Sequence, residues 1–148
     1  MSTFNELTDI LHTAVKDIKS LGYEVGTITD FSVNNRYRRA WAKCYKTGRS
    51  TFKIGINPAL LKANPESARS TIYHEVIHTV PGCYNHGVNF GEVAVKSNRH
   101  FHTCITRTTS RSEMMNGKTR MIVCAAQRNR YGTSTFNSVE STQLRKKQ

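Results

Sequence analysis

Residues 74–78 read His74-Glu75-Val76-Ile77-His78, and a third histidine follows in Asn85-His86-Gly87-Val88-Asn89-Phe90. On an α-helix, positions i and i+4 share a face, so His74 and His78 can each aim an imidazole nitrogen at one metal ion, with Glu75 beside it. Zinc lowers the pKa of a bound water to about 7, and a neighbouring carboxylate can take its proton as it attacks a carbonyl carbon. The same pentapeptide also arises by chance, as two surface histidines on a helix. The flanking residues favour the site. Asn64-Pro65-Glu66 offers an N-cap, a first-turn proline and an acid at the positive helix end, and Pro81-Gly82 offers a stop. Between them Ala68, Ile72, Val76 and Val80 recur every four residues, with Tyr73 and Ile77 alongside, as the stripe of a buried helix that leaves the histidines outside it. His86 then arrives after a turn rich in breakers, so helix, turn and third ligand come in a workable order.

The rest of the chain supplies a scaffold for that helix. Thr3-x-x-Glu6 can form a capping box, and Leu7, Ile10, Leu11, Ala14, Ile18 and Leu21 keep helical spacing until Gly22. Residues 23–25, 39–45 and 50–56 read as short strands of a small antiparallel sheet, joined by turns rich in Asn, Lys and Gly. A further helix runs from just after His86 to about Asn98, anchored by Phe90, Ala94 and Phe101. With 148 residues the chain is near the modal domain size, and the expected fold is α+β: one zincin-like domain in which the sheet packs with the N-terminal helix and the His-Glu-x-x-His helix.

The run Thr51-Phe52-Lys53-Ile54-Gly55-Ile56-Asn57-Pro58-Ala59-Leu60-Leu61, then Asn64-Pro65, His74-Glu75-Val76-Ile77-His78 and His86-Gly87-x-x-Phe90, resembles the SprT-like zinc metallopeptidases, a family that includes the DNA-dependent protease Spartan. The strong likeness covers about residues 51–91, and a looser one reaches upstream through Arg36 to Arg49 and the leading helix. The resemblance implies that His74, His78 and His86 hold one zinc ion per chain and that Glu75 is the general base. The eight positions from His78 to His86 differ from the six of the metzincins.

Several members of that family carry a four-cysteine zinc ribbon after the protease domain, and here it has decayed. Met121-Ile122-Val123-Cys124 is similar to the strand leading into such a ribbon, but no partner cysteine follows. Residues 1–120 are therefore read as the metallopeptidase domain and 121–148 as a ribbon remnant with a basic tail that ends in Arg145, Lys146 and Lys147. Cys44, Cys83, Cys104 and Cys124 form no Cys-x-x-Cys pair and read as small apolar residues or isolated thiols. No secretory signal or membrane-length apolar run is visible, which points to a cytoplasmic or nucleoid-associated protein and away from a membrane. His100-x-His102 could alternate toward a metal on a strand, but it lies beyond a complete ligand set and beside basic residues, and reads as a structural or nucleic-acid-facing pair. Met114 and Met115 read as core or loop, and His12 as structural.

The net charge of +12 is unevenly spread: +7 over residues 30–63 and +9 over 96–148, against −2 in each of 1–29 and 64–95. Positive charge thus avoids the histidine helix. Arg36, Arg38, Arg39, Lys43, Lys46 and Arg49 interleave with Tyr37, Trp41 and Tyr45, a mixture that suits phosphate contacts and base stacking. The expectation is a zinc endopeptidase acting on a protein substrate held on or crosslinked to DNA, with single-stranded or nonspecific DNA as partner. Two alternatives remain open: an inactive basic nucleic-acid-binding protein with a zinc site, and a zinc amidohydrolase acting on a non-protein substrate.

Overall fold

The computed structural model describes residues 2–106. Helix α1, Phe4–Ser20, opens on the expected capping box: Glu6 N–H donates to Thr3 Oγ1 at 3.1 Å and Thr3 N–H donates to Glu6 Oε1 at 2.8 Å. Leu7, Leu11, Ala14 and Ile18 form its buried stripe, and Gly22, at φ 96°, makes the left-handed turn by which the chain leaves.

Three strands follow, β1 (Thr27–Val33), β2 (Ala42–Lys46) and β3 (Thr51–Ile56), in the spatial order β1-β3-β2. β2 and β3 pair antiparallel, whereas β1 runs parallel to β3 with an irregularity between Ile28 and Asp30. The sheet is therefore mixed, which corrects the antiparallel sheet expected from sequence, and its first strand is Thr27–Val33 instead of residues 23–25. The cause is the connection at residues 34–41. Val33 and Ala42 both pair with Ile56, so the chain arches past the end of β3 and returns along the other flank. Short-strand patterning reports which residues face inward, not which flank the chain chooses.

Asn57 fastens the arch. Its backbone N–H donates to Trp41 O at 2.8 Å and its Nδ2 donates to Tyr37 O at 3.3 Å and Ala40 O at 3.1 Å. Its Oδ1 accepts from Ala59 N–H at 2.9 Å and so caps the short 3-10 helix Pro58–Lys62. One amide holds the loop with its donor and the helix with its acceptor.

Helix α2, Pro65–Ile77, starts as predicted, with Asn64 Oδ1 accepting from Glu66 N–H at 3.0 Å and Ser67 N–H at 3.3 Å. Its burial exceeds the predicted stripe, because Ser67, Ser70 and Glu75 are buried along with Ala68, Ile72, Tyr73, Val76 and Ile77. α1, β2 and α3 (Val88–Phe101) all contact it. The segment at 103–106 also reaches it, through Cys104 N–H donating to Ser70 Oγ at 2.8 Å. Asn98 of α3 holds that segment in turn, its Oδ1 accepting from Thr103 Oγ1 and from Ile105 N–H, each at 2.8 Å. The Tyr73 hydroxyl donates to Asp17 of α1. The regular helix stops at Ile77 with His78 as C-cap, before Pro81-Gly82, and α3 runs on to Phe101, where His102 at φ 57° ends it.

Among the described residues Cys44 and Cys83 are free thiols, and Cys83 and Cys104 are buried, in keeping with their reading as small apolar residues. Among the described residues no helix is long and apolar enough to cross a membrane. The boundary expected at 120/121, Met114, Met115, Cys124 and the terminal basic cluster lie outside the described residues.

Candidate metal centre

His74 and His78 stand one helical turn apart and line a cleft of about 560 Å³ between α2 and β2. The turn after α2 brings the third histidine back to them, through Gly82 at φ 84° and through Asn85 Oδ1, which accepts from Gly87 N–H at 3.1 Å. His86 Nε2 lies 3.0 Å from His74 Nε2 and 3.1 Å from His78 Nε2, and the three imidazoles form a group able to hold a metal ion. Nitrogens held about 2.0–2.1 Å from one tetrahedral zinc ion sit about 3.3 Å apart. The observed spacings agree to a few tenths of an ångström, so the residues present fit zinc. The Phe90 ring abuts all three histidines, with centroids 4.8, 4.7 and 5.0 Å from His74, His78 and His86. The aromatic position of the His-Gly-x-x-Phe run is thus a side of the centre as well as an anchor of α3.

His78 is 8% exposed, and its Nδ1 lies 2.9 Å from Cys83 O. The carbonyl can only accept, so Nδ1 carries the proton and Nε2 presents a lone pair. Burial pulls the imidazole down to a pKa of about 4, with the Cys83 carbonyl opposing the shift and His86 adding to it. The neutral form that results is the one that ligates metal. Glu75 is 6% exposed and lines the same cleft. Burial pushes its carboxyl up to about 8. A divalent cation nearby would favour the carboxylate and lower its pKa toward neutral pH, the range a general base needs. Cys44 also lines the cleft, but burial, and then Glu75, raise its thiol to about 12, so it offers no thiolate nucleophile at neutral pH.

The basic residues singled out from sequence border more than one depression. Arg36, Arg38, Arg39, Lys43, Lys46 and Arg49 are all exposed. Arg39 and Lys43 line the metal cleft with Trp41, Lys46 and Arg49 line a neighbouring depression, and Arg36 lines a third with Tyr37 and Tyr45. Trp41 packs partly against the core, leaving Tyr45, 42% exposed, as the more open ring. His100 and His102 are exposed and stand outside the histidine group, and His12 is exposed on α1. Sequence reading missed the Cys83 carbonyl and the contribution of Ile105 and Thr106 to the cleft. A backbone acceptor leaves no side-chain signature, and the return of residues 103–106 over α2 depends on long-range hydrogen bonds.

The chain matches the model of the SprT-like family over residues 7–110. Neither a curated protein nor a solved structure matches it significantly. The family points to a metalloprotease-type function, in keeping with a histidine group that could hold a metal.

Proposed function

We propose, from the premise that this chain belongs to the SprT-like family, that it is a zinc-dependent endopeptidase acting on proteins associated with or crosslinked to DNA. The observation that carries this reading is the convergence of three imidazole nitrogens beside a buried carboxyl in an open cleft. His74, His78 and His86 would hold the ion. When bound, zinc supplies Lewis acidity, which acidifies a coordinated water and polarises a carbonyl. Glu75, adjoining the ligand His74, takes a proton from the attacking water and passes it to the leaving amine, the task of a general base that becomes a general acid. His78, fixed by its Nδ1–H donation to Cys83 O, keeps Nε2 aimed into the centre. The cleft lies between the helix and an exposed cationic strand, so a protein tethered to nucleic acid would be presented to the centre at high local concentration. Arg36, Arg38, Arg39, Lys43, Lys46 and Arg49 supply phosphate contacts in this reading, with single-stranded or nonspecific DNA as the partner.

Casein cleavage by the zinc-loaded chain, with and without single-stranded DNA, tests it. Cleavage that disappears in Glu75→Gln while zinc is retained is expected, and cleavage retained in pure Glu75→Gln protein would sink the general-base role. The exposed cations by themselves favour a second reading, a nucleic-acid-binding protein whose zinc is structural. That reading predicts salt-dependent DNA affinity with no proteolysis under any condition.

A further inference from the structure

Tyr84 borders both the metal cleft and the neighbouring depression of about 800 Å³, and it is 49% exposed. Its hydroxyl is engaged with the backbone of β2. It accepts from Lys46 N–H at 3.2 Å and donates to Cys44 O at 3.4 Å. In an antiparallel ladder, alternate residues direct both N–H and C=O toward the same neighbour. Trp41 O accepts from Asn57 N–H and Thr47 N–H donates to Thr51 O, so residues 41, 43, 45 and 47 address the β3 side. Ala42, Cys44 and Lys46 therefore address the other side, and among the described residues β2 is an edge strand. Cys44 O and Lys46 N–H are the successive acceptor and donor that an added strand would take. A single phenol hydroxyl occupies both.

We propose that Tyr84 is a displaceable strap across the outer edge of β2, and that an extended peptide enters the metal cleft by taking Cys44 O and Lys46 N–H from its hydroxyl. The catalytic consequence rests on the peptidase reading above; the displacement itself does not. An extended peptide is the occupant because the edge offers a donor and an acceptor at backbone spacing, beside the cleft that holds His74, Glu75 and His78. Both strap contacts are long for hydrogen bonds and so yield to better-placed partners. The Tyr84 ring rests against Phe52, with centroids 6.2 Å apart, so loss of the hydroxyl alone leaves the ring its packing.

The test titrates reduced, unfolded casein onto the zinc-loaded chain carrying Glu75→Gln, with and without Tyr84→Phe, and follows amide exchange at Lys46 in the same proteins. Neither readout needs cleavage. Failure of the peptidase reading is seen separately, as absence of casein hydrolysis by the zinc-loaded wild type. Tyr84→Phe is expected to tighten casein binding about fivefold, the worth of two long hydrogen bonds, each at the weak end of the net range, removed from the competing state. It should also speed Lys46 exchange, and bound casein should slow it again. Unchanged affinity with unchanged exchange would overturn the strap, and faster exchange without a gain in affinity would overturn the edge as a peptide track. Weaker binding would make Tyr84 a contact for the peptide instead of its competitor. Dimerisation of the Tyr84→Phe protein in place of casein binding would assign the edge to a second copy of this chain and overturn the proposal as well.

Discussion

The two walls of the cleft are built on opposite principles. The α2 wall is buried, capped at its start by Asn64 and cross-linked by the hydrogen bond that Ser70 accepts from the segment after α3 and the one that Tyr73 donates to α1. The facing wall, β2 with the arch at 34–41, is exposed and cationic, and among the described residues no strand flanks its outer backbone edge. Groups that must hold ångström-level geometry sit where packing fixes rotamers. Groups that would meet partners of varied shape sit where solvent leaves them adaptable. Asn57 joins the two, since it pins the arch and caps the helix that leads to α2.

The largest effect expected on the rigid wall comes from Glu75→Gln, which should lower proteolysis by about 10²–10⁴-fold while zinc content stays near one per chain. His86→Ala should instead lose the metal, as read by elemental mass spectrometry. A Glu75→Gln protein without zinc would break the division between holding the ion and moving the proton. On the cationic wall, replacing Arg36, Arg38 and Arg39 together with Ala should flatten the dependence of log K on log salt for single-stranded DNA by about two units, at about 0.7 per phosphate contact. Zinc affinity should not change. An unaltered salt slope would remove the arch from any DNA interface.

The two walls also separate in their response to pH between 4 and 8, because the groups shifted into that interval are Glu75 of α2 and His78 at its C-cap, whereas burial pushes the Cys44 thiol of β2 beyond it. Glu75 has a folded pKa raised from 4.5 to about 8, so in metal-free protein its contribution to stability falls as pH climbs through that interval. His78 has a folded pKa lowered from 6.5 to about 4, so its contribution falls as pH drops through that interval. The two slopes oppose one another between pH 4.5 and 6.5, and only the Glu75 loss remains above that. Chemical denaturation of metal-free protein should show a loss of about 2 kcal/mol between pH 6.5 and 8, at 1.36 kcal/mol per pKa unit. Zinc, which favours the carboxylate, should abolish it, and an equal loss with zinc bound would place Glu75 outside the field of the ion. The smallest effect is expected at the junction: Asn57→Ala should cost about 1–2 kcal/mol through loss of the cap and of its two side-chain contacts to the arch. Faster exchange in the arch with unchanged exchange in α2 would show that the walls are held separately.

Much of the rigid wall was legible because its signals are local. A capping box, an Asn-Pro helix start and apolar residues at four-residue spacing place α1 and α2 from neighbouring residues alone, and the helical repeat puts His74 and His78 on one face. Arrival of His86 was legible as an order of elements, a helix followed by a turn of breakers. The cationic wall was legible in composition but not in arrangement, since Arg36, Arg39 and Arg49 are close in sequence and line three different depressions.

Local chemistry by itself thus determined the helices, their caps, the histidine spacing and the separation of positive charge from α2, because each depends on residues within a few positions of one another. Tertiary structure alone decided that β1 runs parallel to β3, that Cys83 O orients His78, that residues 103–106 return over α2, and that Tyr84 holds the β2 edge. Each of these depends on which backbone groups meet after the chain has folded back on itself, and backbone donors and acceptors are chemically alike at almost every position in a sequence.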